Sequence, residues 1–227
     1  MTPWGESGSR ECSSATTSAE GRSPGREDGS VRLTGVIQAG GRSVRMGGEP
    51  KALLEVGGRR IIERVAHVLR QVTDEQLLVT NTPDRYAWMG LPMVPDVFPD
   101  AGSLGGIYSG LKAAGEAAFT VACDMPFLSP AVARLVTSRA PEADVVVPIV
   151  NGFHETLHAC YARACLGPIE RRIAAGRLKI TGFFDEVRVL EIAEADLAPF
   201  GDPAQIFMNV NTPDELARAR ALAGEHG

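Results

Sequence analysis

The sequence predicts a single α/β domain built on a mostly parallel sheet with helices on both faces. Three observations carry this. Short apolar runs alternate with helix-patterned segments from Leu33 onward, the order that repeated strand–helix–strand units produce. A loop of glycines and basic residues directly follows the first apolar run, at the place where open α/β sheets hold their ligands. The 227 residues are 44% apolar and 22% charged, an ordinary composition for a chain long enough to bury one good core.

Residues 1–30 stand apart from the rest. They hold seven Ser and five Gly, with Met1, Trp4, Cys12, Ala15 and Ala19 as their only apolar side chains. Such a stretch buries too little surface to offset its ordering entropy, so it reads as a disordered extension and 31–227 as one domain. Strands are expected at Leu33–Ile37, Leu77–Thr80, Met93–Val94, Ala118–Cys123, Asp144–Pro148, Leu157–Tyr161, Val187–Ile192 and Ile206–Asn209. Between them, Ile61, Ile62, Val65, Ala66, Val68 and Leu69 recur at helical spacing. Further helices are expected at Pro83–Trp88, Leu104–Ala114, Pro130–Ser138, Leu166–Ala175 and Pro213–Ala223.

Charge and cysteines narrow the function classes. Lys plus Arg total 23 against 28 Asp plus Glu, a net charge of −5, which gives no support to a nucleic-acid or anionic-membrane binder. Any phosphate must be held locally. No apolar run reaches the roughly 18 residues of a membrane span, and the N-terminus lacks the apolar centre of a secretory signal, so the protein reads as cytoplasmic. Cys12, Cys123, Cys160 and Cys165 form no C-x-x-C pair; neither a disulfide nor a zinc knot is expected.

The chemistry concentrates after the first strand, in Gln38-Ala39-Gly40-Gly41-Arg42-Ser43-Val44-Arg45-Met46-Gly47-Gly48-Glu49-Pro50-Lys51. Glycines let the backbone turn so that several N–H groups converge on an anion, and basic side chains neutralise what backbone donors leave. This pattern is a polyphosphate cradle, with neither P-loop nor dinucleotide-fold spacing.

The stretch Ala39 to Gly47, with Lys51-Ala52-Leu53-Leu54 and Gly57-Gly58, resembles the signature of the molybdenum cofactor guanylyltransferase (MobA-type) family of nucleotidyltransferases. Further motifs follow in that family's order: Asp96, Gly102-Ser103-Leu104-Gly105-Gly106-Ile107 with Gly110-Leu111, Ala122-Cys123-Asp124-Met125-Pro126, and Asn209-Val210-Asn211-Thr212-Pro213-Asp214-Glu215-Leu216. The resemblance spans residues 33–220. It implies a Rossmann-like domain that transfers GMP from GTP to the terminal phosphate of molybdopterin carrying molybdenum, with release of pyrophosphate and dependence on Mg²⁺. GTP and the pterin cofactor would be the substrates, and contact with molybdoenzymes or their chaperones would be transient.

Residue by residue, Asp124 should project from a strand's carboxyl end into the ligand crevice, and the resemblance assigns Mg²⁺ to it. Ser129 is the better cap for the following helix. Lys51, assisted by Arg45, would stabilise charge on the α-phosphorus and the departing pyrophosphate. Gln38, Ala39, Gly40 and Gly41 belong to the cradle. The resemblance places guanosine contacts at Asp96 and at Thr80 or Asn81. Asn209 and Asn211 have two readings: contact with the pterin or the metal shell, or turn formation before the helix at Pro213.

Three positions depart from the family pattern. Pro50 stands where an Asp usually precedes the lysine, Gln38 replaces a Leu, and Ser103 replaces a Pro. A decoy also needs weighing: His154-Glu155-Thr156-Leu157-His158 has the H-E-x-x-H spacing of zinc proteases, which requires a helix. The segment reads instead as a turn into a strand, where residues 154 and 158 lie about 13 Å apart at roughly 3.3 Å per residue. That leaves Glu155 or His158 to face the second substrate. Competing readings are a cytidylyl- or sugar-phosphate nucleotidyltransferase and a nucleotide-binding accessory protein without transferase activity.

Overall fold

The computed structural model describes residues 31–40 and 50–224; Gly41, Arg45 and the expected extension at 1–30 lie outside them. In chain order the described elements are β1 (Leu33–Gln38), a 3-10 turn (Lys51–Leu53), β2 (Glu55–Val56), β3 (Arg59–Arg60), α1 (Ile61–Leu69), β4 (Glu75–Val79), β5 (Met93–Val94) and α2 (Gly102–Ala114). There follow β6 (Ala117–Ala122), α3 (Pro130–Ser138), β7 (Val145–Val150), β8 (Phe153–His154), β9 (His158–Ala162), α4 (Leu166–Ala174), β10 (Val189–Ile192), and the helices α5 (Glu194–Leu197), α6 (Pro203–Ile206) and α7 (Pro213–Gly224).

The main sheet runs β10-β7-β9-β6-β1-β4-β5, with β8 added on β7. It is parallel except around β9, which runs antiparallel to β6 and β7, and at β8. Because strand side chains alternate between faces, β1 sends Ile37 to one core and Val36 to the other. On the first face Ile37, Phe119 and Val121 pack with Ile61, Ile62 and Val65 of α1, Val132 of α3 and Leu216 of α7. On the second, Val36 and Tyr161 pack with Leu104, Ile107 and Leu111 of α2, Ile169 of α4 and Phe183.

Helix α2 lies unusually close to β1. A Cβ on Gly110 would come within 2.4 Å of a Val36 methyl, and one on Gly106 within 2.6 Å of Gln38 Oε1. At Gly110 glycine is a packing requirement, since the stiff Val36 side chain leaves no room for a methyl group; at Gly106 the neighbour is the end of the Gln38 side chain.

Two sequence expectations need correction. Ile206–Asn209 is not a strand: Asp202 caps Ala204 N at 2.9 Å and Pro203 starts the short α6, a cap-and-proline signal that outweighs the apolar run. The chain then continues as an irregular strap whose Val210 N donates to the Asp124 carbonyl at 2.9 Å. Pro83–Trp88 forms two 3-10 turns, Pro83–Arg85 and Ala87–Met89, rather than one helix. The run breaks at Tyr86, whose φ of −119° lies outside the helical region, and burial pushes its phenol up to about 12. Val187–Ile192 is shorter than expected, pairing only from Val189.

The close helix contact is testable. Gly110→Ala should destabilise the fold by about 1–3 kcal/mol through overpacking, read by denaturant unfolding. Combined with Val36→Ala it should cost less than the sum of the single losses, because the two positions share one space.

Candidate active site

Strand register builds the site. Gln38 is level with Val79 on β4 and with Ala122 on β6, so the residues after each strand emerge along one edge: Ala39 and Gly40, Thr80 and Asn81, Cys123 and Asp124. Backbone bonds hold these exits together, Ala39 N to the Val79 carbonyl at 2.9 Å and Cys123 N to the Gln38 carbonyl at 3.2 Å. Antiparallel β9 pairs His158 with Val121. Its incoming segment, residues 154–157, is therefore delivered to the same edge.

The result is a cleft of about 440 Å³ lined by Gln38, Gly40, Lys51, Ser103, Ala122, Cys123, Asp124, Met125, His154, Glu155, Thr156, Leu157, Asn209 and Asn211. Of the sequence-expected residues, it brings together Gln38, Gly40, Lys51, Asp124, Asn209 and Asn211. Ala39 sits between two of these with a half-buried side chain. Thr80, Asn81 and Asp96 lie apart from it, on the β4–β5 side of the edge.

Lys51 is aimed by its neighbours. Its Nζ donates to Asn211 Oδ1 at 2.9 Å, and Asn211 is fixed in turn because its backbone N donates to Glu215 Oε2 at 2.6 Å. Glu215 also accepts from Thr212 N at 2.8 Å, while its own N donates to Thr212 Oγ1 at 3.2 Å. This is a capping box at the start of α7, and those backbone donors hold the Glu215 carboxyl below its ordinary range. The turn reading of Asn211 is thus visible in its backbone, while its side chain lines the cleft and holds Lys51.

Asp124 is part-buried, and that burial pushes its carboxyl above the ordinary range; Glu215 adds to the rise, while its own backbone N–H and Lys51 oppose it. The buried negative charge is under-compensated. Among the described residues no group of three or more His, Cys, Asp or Glu is placed to hold a metal. A cation here would take most of its ligands from substrate and water, which suits Mg²⁺ with one carboxylate. The alternative capping role for Asp124 goes elsewhere: Ser129 Oγ accepts from Val132 N at 3.4 Å.

On the β4–β5 side, Asp96 N donates to Asn81 Oδ1 at 2.9 Å. Asp96 Oδ1 accepts from Phe98 N at 3.0 Å and lies 3.0 Å from Ser109 Oγ. One carboxylate oxygen is therefore tied into the loop. Thr80 is buried, its hydroxyl accepting from Thr82 N at 3.2 Å, so Asn81 rather than Thr80 presents an exposed side chain.

Residues 35–188 match the family described as the MobA-like NTP transferase domain. The chain belongs to that family. It is 41% identical over 194 residues to a probable molybdenum cofactor guanylyltransferase of Pelotomaculum thermopropionicum, covering 85% of this chain and 94% of the relative. It is 40% identical over 191 residues to the molybdenum cofactor guanylyltransferase of Desulfosudis oleivorans, covering 83% and 95%. Among solved structures, molybdopterin-guanine dinucleotide biosynthesis protein A of Archaeoglobus fulgidus superposes with a TM-score of 0.73 at 24% identity, over 85% of this chain and 99% of that one. That structural likeness shows the shared fold.

In this nucleotidyltransferase the H-E-x-x-H segment is no helix. His154 ends β8 and lies 2.7 Å from Glu191 Oε1 through Nε2, whereas His158 begins β9 and is fully buried against Phe119 and Phe207. Glu155 lines the cleft, and burial raises its carboxyl; His158 does not line it. Residues that sequence reasoning did not assign are His154, Thr156, Leu157 and Ser103 in the lining and Glu215 behind Lys51. The Asn151-Gly152 turn was the available signal for the first three, since it folds the chain back toward the edge.

His158 has neither ring nitrogen hydrogen-bonded, and burial lowers it from 6.5 to about 3. The unfolded chain therefore binds an extra proton between those values, so this group lowers stability as pH falls below 6.5. His158→Leu should flatten the profile of unfolding free energy against pH by up to about 1.4 kcal/mol per pH unit in that window, measured by denaturant titration. An unchanged slope would place the histidine's partner in the folded state.

Proposed function

We propose that this chain transfers GMP from GTP to the terminal phosphate of molybdopterin carrying molybdenum, releasing pyrophosphate and forming the guanine dinucleotide form of the cofactor. The observation that carries the reading is the convergence of Lys51 and Asp124 on one cleft at the carboxyl edge of the sheet. The relatives at 40–41% identity are guanylyltransferases, which favours GTP over CTP as donor.

The acceptor phosphate is already ionised at neutral pH, so no general base is required. One of its oxygens bonds to the α-phosphorus of GTP as the bond from that phosphorus to the bridging oxygen breaks. Pyrophosphate leaves with the electron pair. Lys51, held by Asn211, faces the oxygens on which charge accumulates, and a preorganised cation there acts more strongly on the transition state than on the ground state. Asp124, with Asn209 beside it, would hold Mg²⁺. When bound, Mg²⁺ neutralises charge on the phosphoryl oxygens.

Asp96 and Asn81 would receive the nucleoside. The Asp96 oxygen not tied to Phe98 N would accept from the N–H edge of guanine, an edge that adenine lacks. Gln38, Ala39, Gly40 and Gly41 would hold the triphosphate, with Arg45 as a second cation. Delivery of the product to a molybdoenzyme or its chaperone would be a transient contact.

The direct test is pyrophosphate release with GTP, CTP and ATP in turn, with molybdenum-loaded molybdopterin as acceptor. Release with GTP alone is expected; release with CTP alone would make the chain a cytidylyltransferase, and binding without release would make it an accessory protein. Chelation should stop turnover and added Mg²⁺ restore it. Asp124→Ala should abolish transfer with little change in melting temperature, and near-normal turnover at saturating Mg²⁺ would remove the metal assignment.

Lys51→Ala separates binding from chemistry. It should lower kcat by at least about a hundredfold, the scale of one lost preorganised electrostatic donor, with a smaller loss of GTP affinity by calorimetry. Lys51→Arg should rescue only in part, because a planar guanidinium does not replace a compact ammonium against Asn211.

A further inference from the structure

We propose that Phe153 is the stacking platform for the pterin ring of the acceptor, at the far end of a second groove that opens from the catalytic cleft. This groove, about 650 Å³, runs between Ser103 at the start of α2, Phe153 on β8, and Leu178 and Lys179 before the 3-10 segment Ile180–Glu186. It shares Ser103, His154 and Thr156 with the catalytic cleft. The two therefore adjoin at these residues. The inference rests on the guanylyltransferase reading above.

Phe153 is 75% exposed and Leu178 41%. Only five large hydrophobic side chains are exposed to that degree among the described residues, and two of them line this one groove. Apolar surface concentrated in a groove beside a site marks a place where a ligand removes it from water.

Phe153 is also held firmly, which a loose surface residue would not be. Asn151 and Gly152 form a two-residue turn with φ of 50° and 78°, the left-handed pair that closes a tight hairpin. Asn151 N donates to Glu194 Oε2 at 2.7 Å, and Glu155 N to the Pro148 carbonyl at 2.8 Å. Alternation along β8 turns His154 inward, where it meets Glu191 and packs edge-on to Phe184 at 5.4 Å, and turns Phe153 outward. An aromatic ring presented on an anchored strand loses little entropy on stacking.

Sheet order says which substrate reaches it. The nucleoside position at Asn81 and Asp96 lies on the β4–β5 side of β1, whereas β6, β9, β7 and the attached β8 lie on the other. The acceptor must bring its phosphate to Lys51 and Asp124 from the side that the nucleoside leaves open. Its pterin, remote from that phosphate, then falls in the groove at Phe153, where the flat aminopyrimidinone ring can meet the face of the phenyl ring.

The test compares wild type with Phe153→Ala, Phe153→Leu and Phe153→Tyr. Turnover is measured with GTP and molybdenum-loaded molybdopterin, and binding by anaerobic calorimetric titration of metal-free molybdopterin. Alanine should raise the acceptor KM and Kd by about 10- to 100-fold, the range seen when one stacked ring is lost. Leucine should recover little, tyrosine nearly all, and kcat, the KM for GTP and the melting temperature should hold throughout. Unchanged acceptor constants in Phe153→Ala would overturn the proposal, as would a leucine variant equal to wild type. Loss only of capture by an apo-molybdoenzyme, with acceptor constants intact, would overturn it too and make the hairpin a protein-docking surface. Failure of the guanylyltransferase reading looks different: wild type would release no pyrophosphate from GTP, and the calorimetric titration would still decide the role of Phe153.

Discussion

The site depends on one packing constraint, the approach of α2 to β1 at positions where the helix itself carries no side chain. Val36 fills the space above Gly110, and Gln38 fills the space above Gly106. This contact sets the height of the helix start relative to the strand end. Ser103 consequently overhangs the edge on which Gln38, Val79 and Ala122 are in register. A helix lifted by even one methyl group would carry Ser103 away from both grooves, because close-packed interiors transmit such shifts instead of absorbing them. The glycines of α2 therefore act on the site without touching a substrate.

Charge is arranged with similar economy. Lys51 hangs from the strap that follows α6 through Asn211, and the same strap accepts no freedom of its own because Val210 N is bonded to the Asp124 carbonyl. The cation and the carboxylate are thus fastened to one another through backbone and through the capping box of α7, not through a direct ion pair. Had they paired directly, each would neutralise the other and neither would be available to substrate phosphate or metal. Separation keeps the Asp124 carboxylate short of positive charge, which is the condition under which binding a cation is favourable.

Much of this was legible in the sequence, for identifiable reasons. Periods of 2 and 3.6 residues located every main-sheet strand except β8, and α3 begins at Pro130 as its Ser129-Pro130 signal requires. Gln38, Gly40 and Asp124 reach the cleft at or just after strand ends, Asn209 and Asn211 from the strap and Lys51 from its 3-10 turn; position at a strand end is readable from order alone. What escaped depends on tertiary register. That His154, Thr156 and Leu157 reach the site beside the expected Glu155 follows from β9 running antiparallel beside β6, a pairing that the Asn151-Gly152 turn hints at without fixing. The apolar run Ile206–Asn209 failed for the opposite reason: Phe207 and Val210 are buried as the sequence suggests, but as anchors of an irregular strap instead of a ladder.

Two departures from the family pattern, Gln38 and Ser103, turn out to meet. Gln38 Nε2 donates to the Ser103 carbonyl at 3.3 Å, and its Oε1 lies over Gly106, so the amide spans from the end of β1 to the first turn of α2. A leucine at position 38 would offer no donor to that carbonyl, and a proline at position 103 would fix the backbone there by ring closure. In this chain the hydrogen bond supplies the restraint that the ring would otherwise give. Pro50 shows the same logic in a different place. Its fixed φ of −61° starts the 3-10 turn that carries Lys51, and its carbonyl accepts from Leu53 N at 2.9 Å. Backbone rigidity before the lysine, with Asn211 on its far end, holds the ammonium in place by geometry rather than by an adjacent charge.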